Sequence, residues 1–421
     1  METIVELRRS NVLLKPDKAR VVLRSFTPGN EKRIRGILDR IIALGEEQTQ
    51  VALAAAIEEF GQRHRDVSDA FNRRYEDLKN YIPRNYRPTK TRQLLIGSYF
   101  TCEYSLEAAA LFNPSIIPHF DQSGVARGSL RFIMSLRATG EGHISSIEFR
   151  TGTIDERGKV EIDPHQPFVS LPRLLKHGPS KSSYEFEFDK SIPLSERAVF
   201  PVTPAESNGI EDARFVRLLD NDGSLIYYAT YTAYNGRAIK PLLLETRDFA
   251  RFRVSSLAGE ASKNKGMALF PRKIKGKYVV IARQDAESLY LATSDNVCRW
   301  NHPRKLLKPE YPWESTQIGN CGSPMETSKG WLLLTHGVGP VRKYCIGAVL
   351  LDLDDPMKVI GRLRIPLLAP NESEREGYVP NVVYTCGALI HNGILIMPYA
   401  MSDSATSVAT VPIDELLGSM V

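Results

Sequence analysis

The chain has 421 residues, of which 42% are hydrophobic and 25% are charged, and its formal net charge is +6. These values are typical of a globular protein with one large domain and an appendage. The 55 basic residues form no long Lys/Arg block and no apolar run reaches membrane-spanning length, so the composition favours neither a nucleic-acid-binding nor a membrane protein.

The cysteines are odd in number and far apart, and none forms a Cys-x-x-Cys pair. They are Cys102, Cys298, Cys321, Cys345 and Cys386. This pattern predicts neither a disulfide framework nor a zinc site, and we expect no metal. The N-terminus, Met1-Glu-Thr-Ile-Val-Glu, lacks an apolar signal core. We therefore expect a cytoplasmic protein.

Residues 1–90 are predicted to form an N-terminal segment with a helical unit at about 29–81. Apolar residues recur there at three- and four-residue steps, as in Ile34, Leu38 and Ile41, and Pro83 and Pro88 then break the pattern. Plain packing on a larger domain is the first interpretation of this unit. Contacts in a homo-oligomer are the alternative.

From residue 91 the sequence changes to short apolar strands led by glycine. Gly128 and Gly223 are 95 residues apart, and Gly276, Gly330 and Gly393 follow at 53, 54 and 63 residues. The wide first gap contains a Pro/Ser/Lys-rich stretch, 163–207, that reads as a loop or insertion. A recurrence near fifty residues predicts an all-β fold, a five-bladed β-propeller over 91–421. A pair of β-sandwiches is the rival.

Polar residues follow the first strand of each predicted blade. They are Arg137; Tyr231 and Tyr234, with Glu211 and Asp212 upstream; Arg283; His336; and Tyr399 with Asp403. If the blades radiate from one axis, these side chains converge, and cations facing a carboxylate suit a sugar with an anion. Packing tyrosines, a core histidine and salt bridges between blades are the structural alternatives.

The stretch Gly209-Ile-Glu-Asp-Ala-Arg places two carboxylates side by side. Neighbouring carboxylates push their pKa values apart, so that one can hold a proton. A charged turn before a strand is the alternative interpretation. The sequence contains no Gly-x-Ser-x-Gly, His-Glu-x-x-His or Walker motif that would predict a different chemistry.

Over about residues 94–412 the sequence resembles glycoside hydrolase family 130, five-bladed propeller enzymes that cleave β-mannosides by phosphorolysis or hydrolysis. The resemblance is carried by ordered segments, among them Phe112-Asn-Pro-Ser, Ser135-Leu-Arg-Ala, Gly209-Ile-Glu-Asp-Ala-Arg-Phe, Gly330-Trp-Leu-Leu-Leu-Thr-His and Gly377-Tyr-Val-Pro-Asn-Val-Val-Tyr-Thr-Cys-Gly. It implies that Asp212 is the general acid, which protonates the scissile oxygen through the mannosyl 3-hydroxyl.

The resemblance also implies the binding residues. Those expected to contact the sugar are Asn113, Ser115, Arg137 and Asp403. Glu211 and Tyr231 are added as sugar-binding candidates from their position at the second predicted blade. In the phosphate site, the family's Arg-Asn pair, second Arg, Lys and His correspond here to Lys265-Gly266, Arg283, Gln317 and His336. Lys keeps the charge of Arg but not its bidentate geometry, and Gln keeps only hydrogen bonding.

The expected activity is inverting phosphorolysis of β-mannoside oligosaccharides to α-mannose 1-phosphate, with inorganic phosphate as co-substrate and no cofactor. A β-mannosidase is the first alternative, with Glu287, Glu314 or Glu374 as the base that activates water. A propeller that binds carbohydrate without catalysis is the second alternative.

Overall fold

The structure is a computed structural model that describes residues 5–178 and 183–421. Most of its elements are strands. The helices are α1 (Glu31–Ile42), α2 (Glu46–Gly61), α3 (Val67–Leu78), α4 (Lys90–Tyr99) and α5 (Ile413–Gly418). Within the described part of the chain, no helix is both long enough and apolar enough to cross a bilayer.

The strands follow one another along the whole chain. In order they are β1 (Arg8–Leu14), β2 (Val21–Ser25), β3 (Thr101–Ser105), β4 (Ala110–Pro118), β5 (Leu130–Thr139), β6 (Ser145–Ile154), β7 (Val160–Ile162), β8 (Arg173–His177), β9 (Tyr184–Glu187), β10 (Ala198–Val199), β11 (Gly209–Leu219), β12 (Leu225–Tyr234), β13 (Ile239–Thr246), β14 (Arg251–Ser256), β15 (Ala268–Leu269), β16 (Tyr278–Ala282), β17 (Leu289–Ser294), β18 (Arg304–Leu307), β19 (Gln317–Asn320), β20 (Met325–Thr327), β21 (Gly330–Val338), β22 (Tyr344–Leu351), β23 (Val359–Arg362), β24 (Val383–Tyr384), β25 (Leu389–His391), β26 (Ile394–Met401) and β27 (Ala405–Pro412).

The chain divides into two compact units. The helical unit contains residues 18–106 and 166–170, and the β-sheet unit contains 1–17, 107–165 and 171–421. This division differs from the predicted boundary at residue 90. Strand β1 belongs to the β-sheet unit because it pairs with β27, with Arg8 opposite Thr410. A partner so far along the chain leaves no trace in the local sequence.

The helical unit has a core of its own. In α1, the side chain of Asn30 caps the first turn by accepting a hydrogen bond from Arg33 N, and Ile34, Leu38 and Ile41 are buried. Helix α4 was not predicted, because Pro88 was read only as a helix breaker. Proline also commonly precedes a helix, and here α4 begins after Thr89, whose Oγ1 accepts from Arg92 N.

The β-sheet unit consists of five antiparallel modules. Module 1 is β4–β5–β6, module 2 is β11–β12–β13–β14, module 3 is β15–β16–β17–β18, module 4 is β19–β21–β22–β23, and module 5 is β24–β26–β27–β1. Modules 1 and 2 share one sheet through a single parallel pairing of Gly209 with Ser145. Each of the five glycine-led segments predicted from the sequence contributes a strand to a different module, namely β5, β12, β16, β21 and β26.

Five apolar cores join the modules in cyclic order. Along β12, Tyr227 and Tyr231 point into the core shared with module 1, whereas Ile226 and Tyr228 point into the core shared with module 3. This alternation is the two-residue period of a strand buried on both faces. Further cores join modules 3 and 4, modules 4 and 5, and modules 5 and 1.

The predicted loop 163–207 is in part regular structure. It contains β8, β9 and β10, and β9 extends module 2 by pairing with β14. Residues 179–182 of this stretch lie outside the described residues, as do residues 1–4.

Candidate functional site

A cavity of about 150 Å³ in the β-sheet unit contains most of the residues singled out in the sequence. All five modules or their connections contribute to its wall. The predicted residues that line it are Asn113, Arg137, Asp212, Lys265, Arg283, Gln317, His336 and Asp403. Strand ends and turns from separate modules therefore converge on one space, as expected from the sequence if the strands radiate from an axis.

Three polar side chains of the cavity stand on a backbone that non-glycine residues rarely adopt. Asn113, Asp212 and Asp403 have φ values of 48°, 55° and 51°. Asn113 and Asp212 each lie where the register of their strand pairing shifts, in β4 and β11. A bulge of this kind re-aims a side chain out of the regular alternation, and such local strain is concentrated at functional sites.

Asp212 is surrounded by hydrogen-bond donors and cations. Asn113 Nδ2 donates to Asp212 Oδ1 at 2.6 Å, and Arg137 Nη1 lies 3.3 Å from the same oxygen. Burial alone would raise the pKa of Asp212, but Arg137, Lys265 and Arg214 together with the Asn113 hydrogen bond lower it to about 2. The carboxyl of Asp212 is therefore ionised at neutral pH.

Asp403 has the opposite electrostatic behaviour. Burial, followed by the negative charge of Asp212, raises the pKa of Asp403 to about 6, although Arg137, Lys265 and Arg342 oppose the shift. The cavity thus holds two carboxyls whose pKa values are pushed apart. Such a pair is a common feature of sites that transfer protons.

The raised pKa of Asp403 predicts a pH-dependent effect on stability. Between about pH 4 and pH 6 the folded protein binds more protons at this carboxyl than the unfolded chain does, so ionisation of Asp403 destabilises the fold progressively as the pH rises. We expect Asp403→Asn to increase the free energy of unfolding more at pH 7.5 than at pH 4. Urea unfolding at both pH values measures this difference, and an effect independent of pH would contradict the prediction.

On the cationic side of the cavity, Arg283 and His336 form a direct pair. Arg283 Nη1 lies 3.1 Å from His336 Nε2. Burial, followed by the charges of Arg283 and Arg214, lowers the pKa of His336 well below its ordinary value. The imidazole is therefore neutral, and Nε2 accepts the hydrogen bond from Arg283. This pairing assigns the remaining ring proton to Nδ1.

Three predicted sugar-contacting residues do not line the cavity. Ser115 is fully buried, and its Oγ accepts a hydrogen bond from Phe215 N. Tyr231 is a core residue whose hydroxyl donates to Glu206 at 2.7 Å, because it lies on the face of β12 that points into the core with module 1. Glu211 does not line the cavity, and its carboxylate accepts a hydrogen bond from Arg137 Nη2 at 2.9 Å.

Tyr234 and Tyr399, the other two tyrosines singled out after predicted strands, also do not line the cavity. Tyr399 is buried and donates its hydroxyl to Glu374 Oε1 at 2.6 Å. Tyr234 ends β12 opposite Ile239. The sequence pattern could not distinguish these packing residues from residues that line the cavity, since both kinds of residue occur after apolar strands.

The three carboxylates considered as bases for hydrolysis also lie away from the cavity lining. Glu314 is buried, pairs with Arg362 and accepts the backbone N–H groups of residues 310 and 311. Glu374 pairs with Arg9 and accepts from Tyr399. Glu287 is exposed on the turn after β16. The first two are therefore held by structural contacts.

Five further residues of the cavity wall were not singled out as site residues in the sequence. They are Arg342, Tyr344, Val379, Val382 and Tyr384. The last three lie within the segment 377–387 that helped to carry the family resemblance, so that segment was a usable signal. Arg342 lies in the turn Pro340–Arg342 at a φ of 56°, and no local sequence pattern predicts this placement.

Arg214 lies behind the wall and links its two sides. Its Nη1 donates to the backbone carbonyl of Asp212 at 3.2 Å, and its Nη2 donates to the hydroxyl of Tyr384 at 2.7 Å. The Tyr384 ring in turn lies 4.9 Å from the His336 ring, centroid to centroid. A single buried guanidinium thus supports the strained backbone of Asp212 and a tyrosine beside the cationic side.

Comparison with known proteins gives a consistent result for sequence and fold. A family model described as beta-1,4-mannooligosaccharide phosphorylase, of glycoside hydrolase family 130, matches residues 190–421. The chain is 32% identical over 281 residues to a 1,2-beta-oligomannan phosphorylase of Thermoanaerobacter sp. (strain X514), which covers 64% of this chain and 90% of the relative.

Two matches from Listeria innocua, one by sequence and one by structure, extend the comparison. The chain is 30% identical to a beta-1,2-mannobiose phosphorylase of this organism, over 62% of this chain and 72% of the relative. The solved structure of a beta-1,2-mannobiose phosphorylase from Listeria innocua in complex with beta-1,2-mannobiose superposes with a TM-score of 0.55 at 20% identity, over 75% of this chain and 93% of that chain. The chain therefore shares the fold of this structure.

Proposed function

The chain belongs to glycoside hydrolase family 130 and is an enzyme of the glycoside phosphorylase type, and from this premise we propose that it phosphorolyses β-mannosides with inversion at the anomeric carbon. The products are α-mannose 1-phosphate and the shortened sugar. One observation carries the proposal. The same small cavity is lined by the carboxyl of Asp212, which is flanked by hydrogen-bond donors, and by the guanidinium of Arg283 paired with neutral His336.

In the proposed reaction, one phosphate oxygen forms a bond to the mannosyl anomeric carbon as the bond from that carbon to the bridging oxygen breaks. The departing oxygen needs a proton, which Asp212 supplies through the mannosyl 3-hydroxyl. Lys265, Arg283, Gln317 and His336 hold the phosphate in line, and the charges of Lys265 and Arg283 offset its negative charge. Asn113, Arg137 and Asp403 hold the mannosyl unit.

Phosphate binding has a direct consequence for the acid. Lys265 is one of the cations that keep the pKa of Asp212 low. A bound phosphate anion beside Lys265 offsets that positive charge and therefore raises the pKa of Asp212. Phosphate thus serves both as the nucleophile and as the charge that helps Asp212 to carry its proton.

The placement of the other carboxylates supports phosphorolysis over hydrolysis. A hydrolase of this type needs a carboxylate base that activates water at the anomeric carbon. Among the described residues that line the cavity, Asp212 and Asp403 are the carboxylates, and both lie with the sugar-side groups Asn113 and Arg137.

We also propose that the five modules are the blades of a five-bladed β-propeller. The five cores that join neighbouring modules in cyclic order support this arrangement, as does the pairing of β1 with β27 in the last module. A propeller of this kind brings the ends of separate sheets to one central mouth.

The test uses the purified full chain with β-1,2- and β-1,4-linked manno-oligosaccharides, with and without inorganic phosphate. The β-1,2 linkage comes first, because relatives that are 30–34% identical over more than half of the chain carry names with this linkage. We expect mannose 1-phosphate only when phosphate is present, as the α anomer by ³¹P and ¹H NMR. Release of free mannose at the same rate without phosphate would establish hydrolysis instead.

The proposed phosphate site contains a small space beside Gly266. A Cβ atom at Gly266 would have no neighbour closer than 3.9 Å, and Arg283 Nε, Asn320 Oδ1 and Arg214 Nη2 surround it at 3.9–4.0 Å. Among the described residues, Arg283 Nε and Asn320 Oδ1 have no hydrogen-bond partner. The space is therefore bordered by buried polar atoms that a larger side chain or a phosphate oxygen could satisfy.

We expect Gly266→Asn to lower the KM for phosphate by up to about tenfold, since one added hydrogen bond to a charged group contributes about 1.5 kcal/mol. Gly266 has a φ of 91°, and asparagine tolerates positive φ better than most residues. The KM for the mannoside should stay within about twofold. Initial rates at varied phosphate measure the effect, and an unchanged or raised KM for phosphate would count against a role for this space.

A further inference from the structure

Three segments of the β-sheet unit lie near the cavity: two contain a cavity residue, and the third contacts Tyr378, the neighbour of one. The turn Glu141–His143 follows β5, which carries Arg137, and the turn Pro340–Arg342 carries the cavity residue Arg342. The third segment, residues 377–379, ends at the cavity residue Val379. We call these three segments the rim.

The backbone of segment 377–379 is fixed against the turn that carries Asp403. Val379 N donates to Ser402 O at 3.0 Å. Gly377 packs so closely on this turn that a Cβ there would lie 2.4 Å from Ser402 O. Tyr378, between these two anchors, therefore has a defined position next to the proposed sugar side of the cavity.

Tyr378 presents an aromatic ring to solvent from this position. Its residue is 60% exposed, yet its hydroxyl lies 3.3 Å from His143 Nδ1 and the two ring centroids are 5.5 Å apart. A single exposed aromatic residue needs no explanation. A ring held by the backbone on one side and by a histidine on the other is an ordered platform, because little freedom remains to be lost when a ligand binds.

A second apolar residue on the rim is strained as well as exposed. Val341 is 91% exposed and has a φ of 55°. Positive φ in a β-branched residue is unfavourable, and strain of this kind persists where the surrounding structure enforces it, commonly at ligand-binding sites. Arg342, the next residue, lines the cavity and is close enough to Asp403 to influence its pKa.

From these contacts we propose that Tyr378, supported by His143 and with Val341 on the neighbouring turn, binds the β-linked mannose units beyond the scissile bond. The cavity is small, so the sugars that follow the cleaved mannosyl unit must lie over its edge. Pyranose rings carry faces of C–H groups that pack on an aromatic ring, while the tyrosine hydroxyl stays hydrogen-bonded. This inference rests on the proposed function, because it names the binding site of its leaving group and acceptor.

The reverse reaction separates this platform from the rest of the site. With α-mannose 1-phosphate as donor and mannose or mannobiose as acceptor, we expect Tyr378→Ala to raise the KM for the acceptor about tenfold, the effect of losing one aromatic packing contact. The KM for mannose 1-phosphate should stay within about twofold. Tyr378→Phe keeps the ring, so its KM values for the acceptor and for mannose 1-phosphate should stay within about threefold of those of the parent enzyme.

Tyr99→Ala is the matched control, since Tyr99 is 51% exposed and belongs to the helical unit. It should change neither KM. If the parent enzyme turns over and Tyr378→Ala leaves the acceptor KM unchanged, or raises both KM values equally, the platform is refuted and the proposed function stands. If the parent releases no mannose 1-phosphate from any β-mannoside, the proposed function itself fails.

Discussion

Asp212→Asn is expected to reduce kcat/KM for phosphorolysis of a β-mannoside by about 10²–10⁴-fold, the usual contribution of a general acid. The amide cannot supply the proton that the departing oxygen needs. It can still accept the hydrogen bond from Asn113 and stay beside Arg137, so the fold should persist. Initial rates of mannose 1-phosphate release, with circular dichroism as the folding check, measure the effect.

An activated substrate separates proton donation from binding. A mannoside with a nitrophenolate leaving group needs no proton, so Asp212→Asn should recover most of its rate on that substrate. Asp220→Asn is a control of equal charge change just after the end of the same strand, where Asp220 pairs with Lys273 at 2.7 Å. The Asp220→Asn enzyme should have a rate within about twofold of that of the parent enzyme. A loss for Asp212→Asn of equal size on both substrates would rule out the acid role.

Arg150→Met is expected to have the largest effect on stability, a loss of about 3–5 kcal/mol in the free energy of unfolding. Arg150 is buried between two carboxylates that are fully buried, with Nη2 at 2.6 Å from Glu107 and Nη1 at 3.4 Å from Glu148. Removing the guanidinium takes away a positive charge that two buried carboxylates share. Urea unfolding followed by tryptophan fluorescence measures the loss, because Trp300, Trp313 and Trp331 all lie in the β-sheet unit.

The matched control for Arg150→Met is Lys159→Met. Lys159 pairs with Glu161 at 2.6 Å, but both side chains are largely exposed, so the solvent already screens the pair. We expect no measurable change from this substitution. If both substitutions lowered the free energy of unfolding equally, burial would not explain how the ion pairs of Arg150 stabilise the fold.

Local sequence was sufficient to locate the strands that form the centre of each module. The strands that follow Gly128, Gly223, Gly276, Gly330 and Gly393 were all predicted, because long apolar runs bounded by glycine have few other structures available. Strand β1 was missed because its partner, β27, lies at the other end of the chain. Helix α4 was missed because proline was read as a stop signal only.

The site was predictable to the extent that it rests on motifs. The family resemblance implied eight of the residues that line the cavity, from Asn113 to Asp403. It also implied Ser115, which is buried away from the cavity, and the strand pattern offered Tyr231, which lies in the core. Successive side chains along a strand point to opposite faces of the sheet, and the bulges at Asn113 and Asp212 interrupt that alternation. A bulge is visible only when both paired strands are known.

By itself the sequence determined the strand-rich fold, the order of the modules and the identity of the polar residues that follow them, since these depend on patterns within about ten neighbouring positions. Only the tertiary structure decided that the pKa of Asp212 is lowered, that the pKa of Asp403 is raised to about 6 and that the pKa of His336 is lowered. Each of these shifts depends on burial and on charges contributed by other modules. Electrostatic interactions act through space, and the chain order does not record which residues will be neighbours.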